Sequence, residues 1–171
     1  MGIWRGLKKN NITPNMANIE EIRPHITLAV YNSELPVENY INSFRFFTEN
    51  LTQIEVNFDI LSTFPPNEKF HTSVVFMPPT ITSHLYETHR QFYKELIKYN
   101  SFANELYVPE RWNPHCTLAI GLDKQSLFKT FEYCISHFRP LEGKIKEIAL
   151  VKIDLVDGIP ISKTIFSTLL N

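Results

Sequence analysis

The sequence predicts an α+β fold built as two related lobes, and three observations carry that reading. Pro24-His25-Ile26-Thr27-Leu28-Ala29-Val30 returns as Pro114-His115-Cys116-Thr117-Leu118-Ala119-Ile120, five of seven positions identical and the other two apolar in both copies. Each copy is followed by apolar residues at helical spacing. Each of those helices is followed by a segment with strand character. An unusual string written twice with the same succession behind it is the mark of an internal duplication.

The elements can be justified in chain order. Ile3 to Lys9 reads as a short helix. The repeat calls for a strand ahead of that helix, and none is visible. Either the lobes are unequal or the chain starts downstream of the ancestral beginning. The first heptapeptide is apolar and reads as a strand. Residues two apart then share a face, so His25, Thr27 and Ala29 point one way and Ile26, Leu28 and Val30 the other. Val37, Tyr40, Ile41, Phe44 and Phe47 mark a helix, with Pro36 suited to its first turn. Ile54 to Ile60 alternates strictly and reads as a half-buried strand.

Between the copies, His71 to Met77 reads as a strand closed by Pro78-Pro79. Ile81 to Tyr99 then fits a helix with Leu85, His89, Phe92 and Leu96 on its inner stripe. The second heptapeptide sets His115, Thr117 and Ala119 against Cys116, Leu118 and Ile120. Asp123 is placed to cap a helix whose apolar stripe is Leu127, Phe128, Phe131, Ile135 and Phe138. Lys144 to Val156 reads as a strand with a phase slip near Ile148 that suggests a bulge. Ile161 to Leu169 is a last strand without a counterpart in the first half. No low-complexity linker separates the halves, so a single domain over 1–171 is expected. Its lobes are drawn roughly as 1–65 plus the closing strands, and 66–171.

Composition narrows the function. At 171 residues and 43% hydrophobic, the chain can bury a substantial core. Only 5 glycines argue against a glycine-rich nucleotide fold, and a net charge of −1 offers no broad field for long nucleic acid. Two cysteines make no disulfide framework and fit a reducing compartment. No apolar run has the length of a membrane span, and the start lacks the apolar core of a signal peptide. Met1-Gly2 resembles a myristoylation start, but Gly6 stands where Ser or Thr is required. The sequons at Asn11 and Asn50 matter only in an exported chain. A cytoplasmic monomer with no membrane association is the expectation.

The chemistry lies in the two His/Thr faces. If the lobes are related by a pseudo-two-fold, these faces oppose each other across a cleft. Two imidazoles flanking a phosphorus supply a general base on one side and a general acid on the other, near neutral pH. Threonine hydroxyls donate to the non-bridging oxygens as charge builds. The scheme calls for no metal or other cofactor. Cys116 points away from His115, and close His/Cys spacing for zinc is lacking.

His25-Ile26-Thr27-Leu28 and His115-Cys116-Thr117-Leu118 together resemble the paired signature of the two-histidine phosphoesterases. That superfamily includes the 2′-5′ RNA ligase-like proteins and the RNA 2′,3′-cyclic phosphodiesterases. The resemblance covers both motifs and the element order around them. It implies a bilobal domain of two pseudo-symmetric antiparallel sheets with flanking helices around a central cleft. It also implies that His25 and His115 are the acid–base pair and that Thr27 and Thr117 hold the phosphate. By analogy His115 activates water and His25 protonates the leaving 3′ oxygen. Family members usually open with a strand, and here this chain departs from them.

Around the motifs, Arg23 and Asn113 stand two residues before the histidines, and Arg23 is a candidate for neutralising a phosphate. Arg111 and Trp112 precede the second motif, with Trp112 placed to stack on a base. Lys69 and His71 border the cleft if their strand does. His84, His89 and His137 fall on helices and read as structural. The expected activity is hydrolysis of a 2′,3′-cyclic phosphate or a 2′-5′ linkage in a small nucleotide or RNA end. Alternatives are the reverse ligation and a nucleotide-binding module with little turnover.

Overall fold

The computed structural model describes residues 2–66, 72–156 and 159–171. The chain runs α1 (Gly2–Lys9), α2 (Asn15–Asn18), α3 (Val37–Thr48), β1 (Ile54–Phe58), β2 (Ser62–Phe64) and β3 (Ser73–Met77). It continues with α4 (Ser83–Glu95), β4 (Cys116–Leu122), α5 (Lys124–His137), β5 (Leu141–Ile145), β6 (Glu147–Val156) and β7 (Ile159–Leu169). Two 3₁₀ segments, Ile97–Phe102 and Glu105–Tyr107, lie between α4 and β4. The predicted α+β class is what the structure has. Among the described residues the strands form three antiparallel sheets, β1–β5, β2–β3–β4 and β6–β7, where two were expected.

Two apolar clusters organise these elements, and each draws on both halves of the chain. The first packs Leu7 of α1 and Cys134 of α5 with Val56, Val75, Met77, Cys116, Leu118 and Leu122. The second gathers Tyr40, Phe44 and Phe47 of α3 with Phe92 and Tyr93 of α4 and with Leu96, Tyr99 and Leu170. Leu28, Ala29 and Tyr31 of the first heptapeptide lie against this second cluster. Helix α4 joins the two, contributing Leu85 to one and Phe92 to the other. Ile145 packs on both.

Several expectations need correction. The second heptapeptide continues into β4, whereas the first forms no ladder and bends at Leu28. Among the described residues its only strand-like pairing follows it, in the bridge between Tyr31 and Ala103. The segment read as one strand from Lys144 to Val156 breaks at Lys146 into β5 and β6. The phase slip near Ile148 is therefore the passage from one ladder to another, and the bulge lies further on, between Leu150 and Val151. The α5 stripe is also displaced: Phe128 and Ile135 are 65% and 59% exposed, while Thr130 and Cys134 are buried. The helix read through Tyr99 ends as α4 at Glu95 and tightens into 3₁₀. Strands β1 and β7 and helices α1 and α3 form where the pattern places them.

Candidate active site

On β4, Thr117 pairs with Phe76 and Ala119 with Val75, so Leu118 is an extra residue on its strand. Directly paired residues share a face, and Val75 and Phe76 point opposite ways. Ala119 therefore faces the core beside Val75, away from Thr117, and both are fully buried. The bulge corrects the simple alternation and turns the second half of the strand inward, keeping His115 and Thr117 on the outer face. Phe64 meets His115 edge-on at 5.2 Å and Phe76 lies 5.1 Å away, so the imidazole sits half-buried among aromatic rings.

The two motif histidines are oriented in the same way. His25 Nδ1 lies 2.7 Å from the Arg23 carbonyl, and His115 Nδ1 lies 2.7 Å from the Asn113 carbonyl. A carbonyl only accepts, so each bond places the proton on Nδ1 and leaves the lone pair on Nε2. Among the described residues neither Nε2, nor the hydroxyl of Thr27 or Thr117, bonds to the protein. Burial lowers the His115 pKa below 6.5, the Asn113 carbonyl opposes this, and the charge of His25 lowers it further. The two imidazoles thus sense each other. Burial also pushes the Cys116 thiol up, with the His25 backbone amide close enough to offset part of this.

The first motif, without a ladder, is held by side chains. Trp112 Nε1 donates to the Thr27 carbonyl at 2.9 Å, and His89 Nε2 lies 3.0 Å from the Leu28 carbonyl. In a flat strand successive carbonyls point to opposite edges. Here both meet rings stacked on each other, which the bend at Leu28 permits. The second motif has a matching bond, from Trp4 Nε1 of α1 to the Thr117 carbonyl at 3.1 Å. Sequence reasoning placed His89 inside and did not foresee Trp4. The usable signal was that a buried indole N–H needs an acceptor.

The remaining candidates are distributed around this centre. Arg23 makes a bidentate pair with Glu147, at 2.6 and 2.9 Å, and that bond holds the Glu147 carboxyl below its ordinary range. Arg111 pairs with Glu105 at 3.0 Å on the surface. Both arginines flanking the motifs thus already have carboxylate partners. Trp112 has one face covered by His89, at a centroid distance of 3.7 Å and an interplanar angle of 1°. Lys69 and His71 lie outside the described residues. Among the described residues no group of three or more His, Cys, Asp or Glu side chains is arranged to hold a metal ion. No helix among them is long and apolar enough to cross a membrane.

A search of curated proteins found no match to the chain. A family comparison did: residues 4–157, spanning both motifs and six of the seven strands in full or in large part, match the 2′-5′ RNA ligase superfamily. With two identically oriented histidines on duplicated motifs and that match over most of its length, the chain belongs to the 2′-5′ RNA ligase superfamily, the two-histidine phosphoesterases.

Proposed function

We propose that the protein is a metal-independent phosphoesterase that opens a 2′,3′-cyclic phosphate, or cleaves a 2′-5′ phosphodiester, on a small nucleotide or RNA end. The observation that carries this reading is the matched pair of Nδ1-to-carbonyl bonds, each leaving Nε2 unengaged by the described residues. Water loses a proton to His115 Nε2 as its oxygen attacks phosphorus. The bond from phosphorus to the 3′ oxygen breaks, and that oxygen takes the Nε2 proton of a His25 imidazolium. A 2′-phosphate and a 3′ hydroxyl result, and proton exchange with solvent resets the pair. The depressed pKa of His115 supports its role as base, since the neutral ring is the competent form. Thr27 and Thr117 donate to the non-bridging oxygens, where negative charge grows. Because both imidazoles are oriented alike, the same groups can exchange roles in the reverse, ligating direction.

The test is hydrolysis of a nucleoside 2′,3′-cyclic phosphate and a 2′-5′ dinucleotide with chelator present. Wild type should turn over at least one of them, and His25→Ala or His115→Ala should lower kcat by about 10²–10⁴. Inactivity of the wild type on both substrates would favour the binding module. Loss of activity to chelator would overturn the metal-independent scheme.

A further inference from the structure

The first motif carries half of the proposed chemistry yet lacks the ladder that holds the second. What replaces it is a pair of rings from elsewhere in the chain. His89 comes from α4, the helix that contributes to both apolar clusters. Trp112 leads into the second motif and packs on the first cluster. Their rings lie parallel at 3.7 Å, and their N–H groups take the consecutive carbonyls of Thr27 and Leu28. His89 is fully buried; its Nε2 bonds the first motif, while its Nδ1 makes no hydrogen bond among the described residues although the Tyr107 carbonyl lies close to the ring.

We propose that the His89–Trp112 stack is a positioning clamp that sets the first motif, with His25 and Thr27, in register against the second. Trp112 precedes His115 by three residues, so one rigid ring is tied by its main chain to one imidazole and by its N–H to the segment bearing the other. The indole then acts through the Thr27 main chain rather than on a nucleobase. His89 works as an aromatic donor whose flat face keeps the indole from turning away. Neither ring touches the reacting atoms in this assignment. It rests on the phosphoesterase reading for its catalytic consequence, while the geometry of the clamp can be probed without turnover.

The experiment compares Trp112→Phe, Trp112→Leu and His89→Gln with wild type on a nucleoside 2′,3′-cyclic phosphate. In parallel, the imidazole resonances of His25, His84 and His137 are followed by NMR. Trp112→Phe keeps a ring against His89 and removes the donor; Trp112→Leu removes both. We expect kcat to fall about 10-fold in Trp112→Phe and towards 100-fold in Trp112→Leu, with KM within about twofold, as for other groups that orient a reacting residue. His25 resonances should shift in the same order while those of His84 and His137 stay put. His89→Gln keeps an amide donor for Leu28 without the stack, and should lie between wild type and Trp112→Leu. A folded Trp112→Phe with wild-type kcat and unmoved His25 resonances overturns the clamp. So does a loss expressed in KM with kcat unchanged, which would make Trp112 a base-binding residue. Should Trp112→Phe fail to fold, His89→Gln decides by the same two readouts. A wild type without turnover defeats the phosphoesterase reading, and the His25 resonances then judge the clamp by themselves.

Discussion

At His115, burial and the neighbouring charge of His25 both oppose a proton, and the Asn113 carbonyl favours one. The net depression keeps His115, the proposed base, unprotonated further into acid, so the acid limb of kcat/KM is expected to fall below pH 6.5. In His25→Ala the repulsion disappears, and the His115 pKa should rise when titrated by NMR. No change, or a fall, would mean the two rings do not sense each other. The four motif side chains could be singled out in the sequence because their residue types and spacing are written locally, twice. Their support could not be. Trp4 meets Thr117 across 113 positions, His89 meets Leu28 across 61, and Trp112 meets Thr27 across 85, contacts that no local pattern announces.

Among the elements, the sequence served best where period and burial agree. Strand β1 is buried at Ile54, Val56 and Phe58 and exposed at Glu55 and Asn57, as its alternation requires. The cap on α5 also forms, with the Asp123 carboxylate accepting from the Ser126 backbone N–H at 2.7 Å. The reading erred where apolar residues had another use. The first heptapeptide has strand composition but gives its Thr27 and Leu28 carbonyls to side chains, and β4 hides a bulge that no alternation count reveals. Two glycines are set by their surroundings. Gly121 has φ +67°, and an added Cβ would come 3.1 Å from Asn15 Nδ2, which donates to the Ile120 carbonyl at 2.7 Å. Gly121→Ala should cost about 1–2 kcal/mol in urea unfolding. At Gly6 a Cβ would overlap the Tyr133 hydroxyl, so Gly6→Ala should push α1 from α5 and strain the Trp4 bond to Thr117. A Gly6→Ala protein of wild-type stability and wild-type Trp4 fluorescence would contradict this.

For the whole molecule, His89 couples stability to pH. Burial lowers its pKa to about 4, with the carbonyls of Leu28 and Tyr107 and the charge of Glu110 opposing. Between pH 6.5 and about 4 the unfolded chain binds a proton at this ring that the folded chain refuses. Stability from this group is therefore complete above pH 6.5 and declines as pH falls through that window. Urea midpoints at pH 7 and pH 5 should differ less in His89→Gln than in wild type, and equal differences would remove His89 from the account. The internal repeat predicts two lobes, but it does not reveal that each apolar cluster recruits from both halves of the chain. Among the described residues, Ile54 to Phe58 find their only strand partner in Leu141 to Ile145, a closure spanning about 90 residues. Contacts so distant in the chain make for slow, late assembly. They also make the halves mutually dependent. A fragment ending near Pro79 would lack β5 for its β1, and the remaining fragment would lack α1 beneath its β4. Each should be unfolded by circular dichroism when expressed separately, and structure should return only when the two are mixed. The seam between the two repeat copies is thus the place where the fold is expected to tolerate a cut least, because each side packs on what the other supplies.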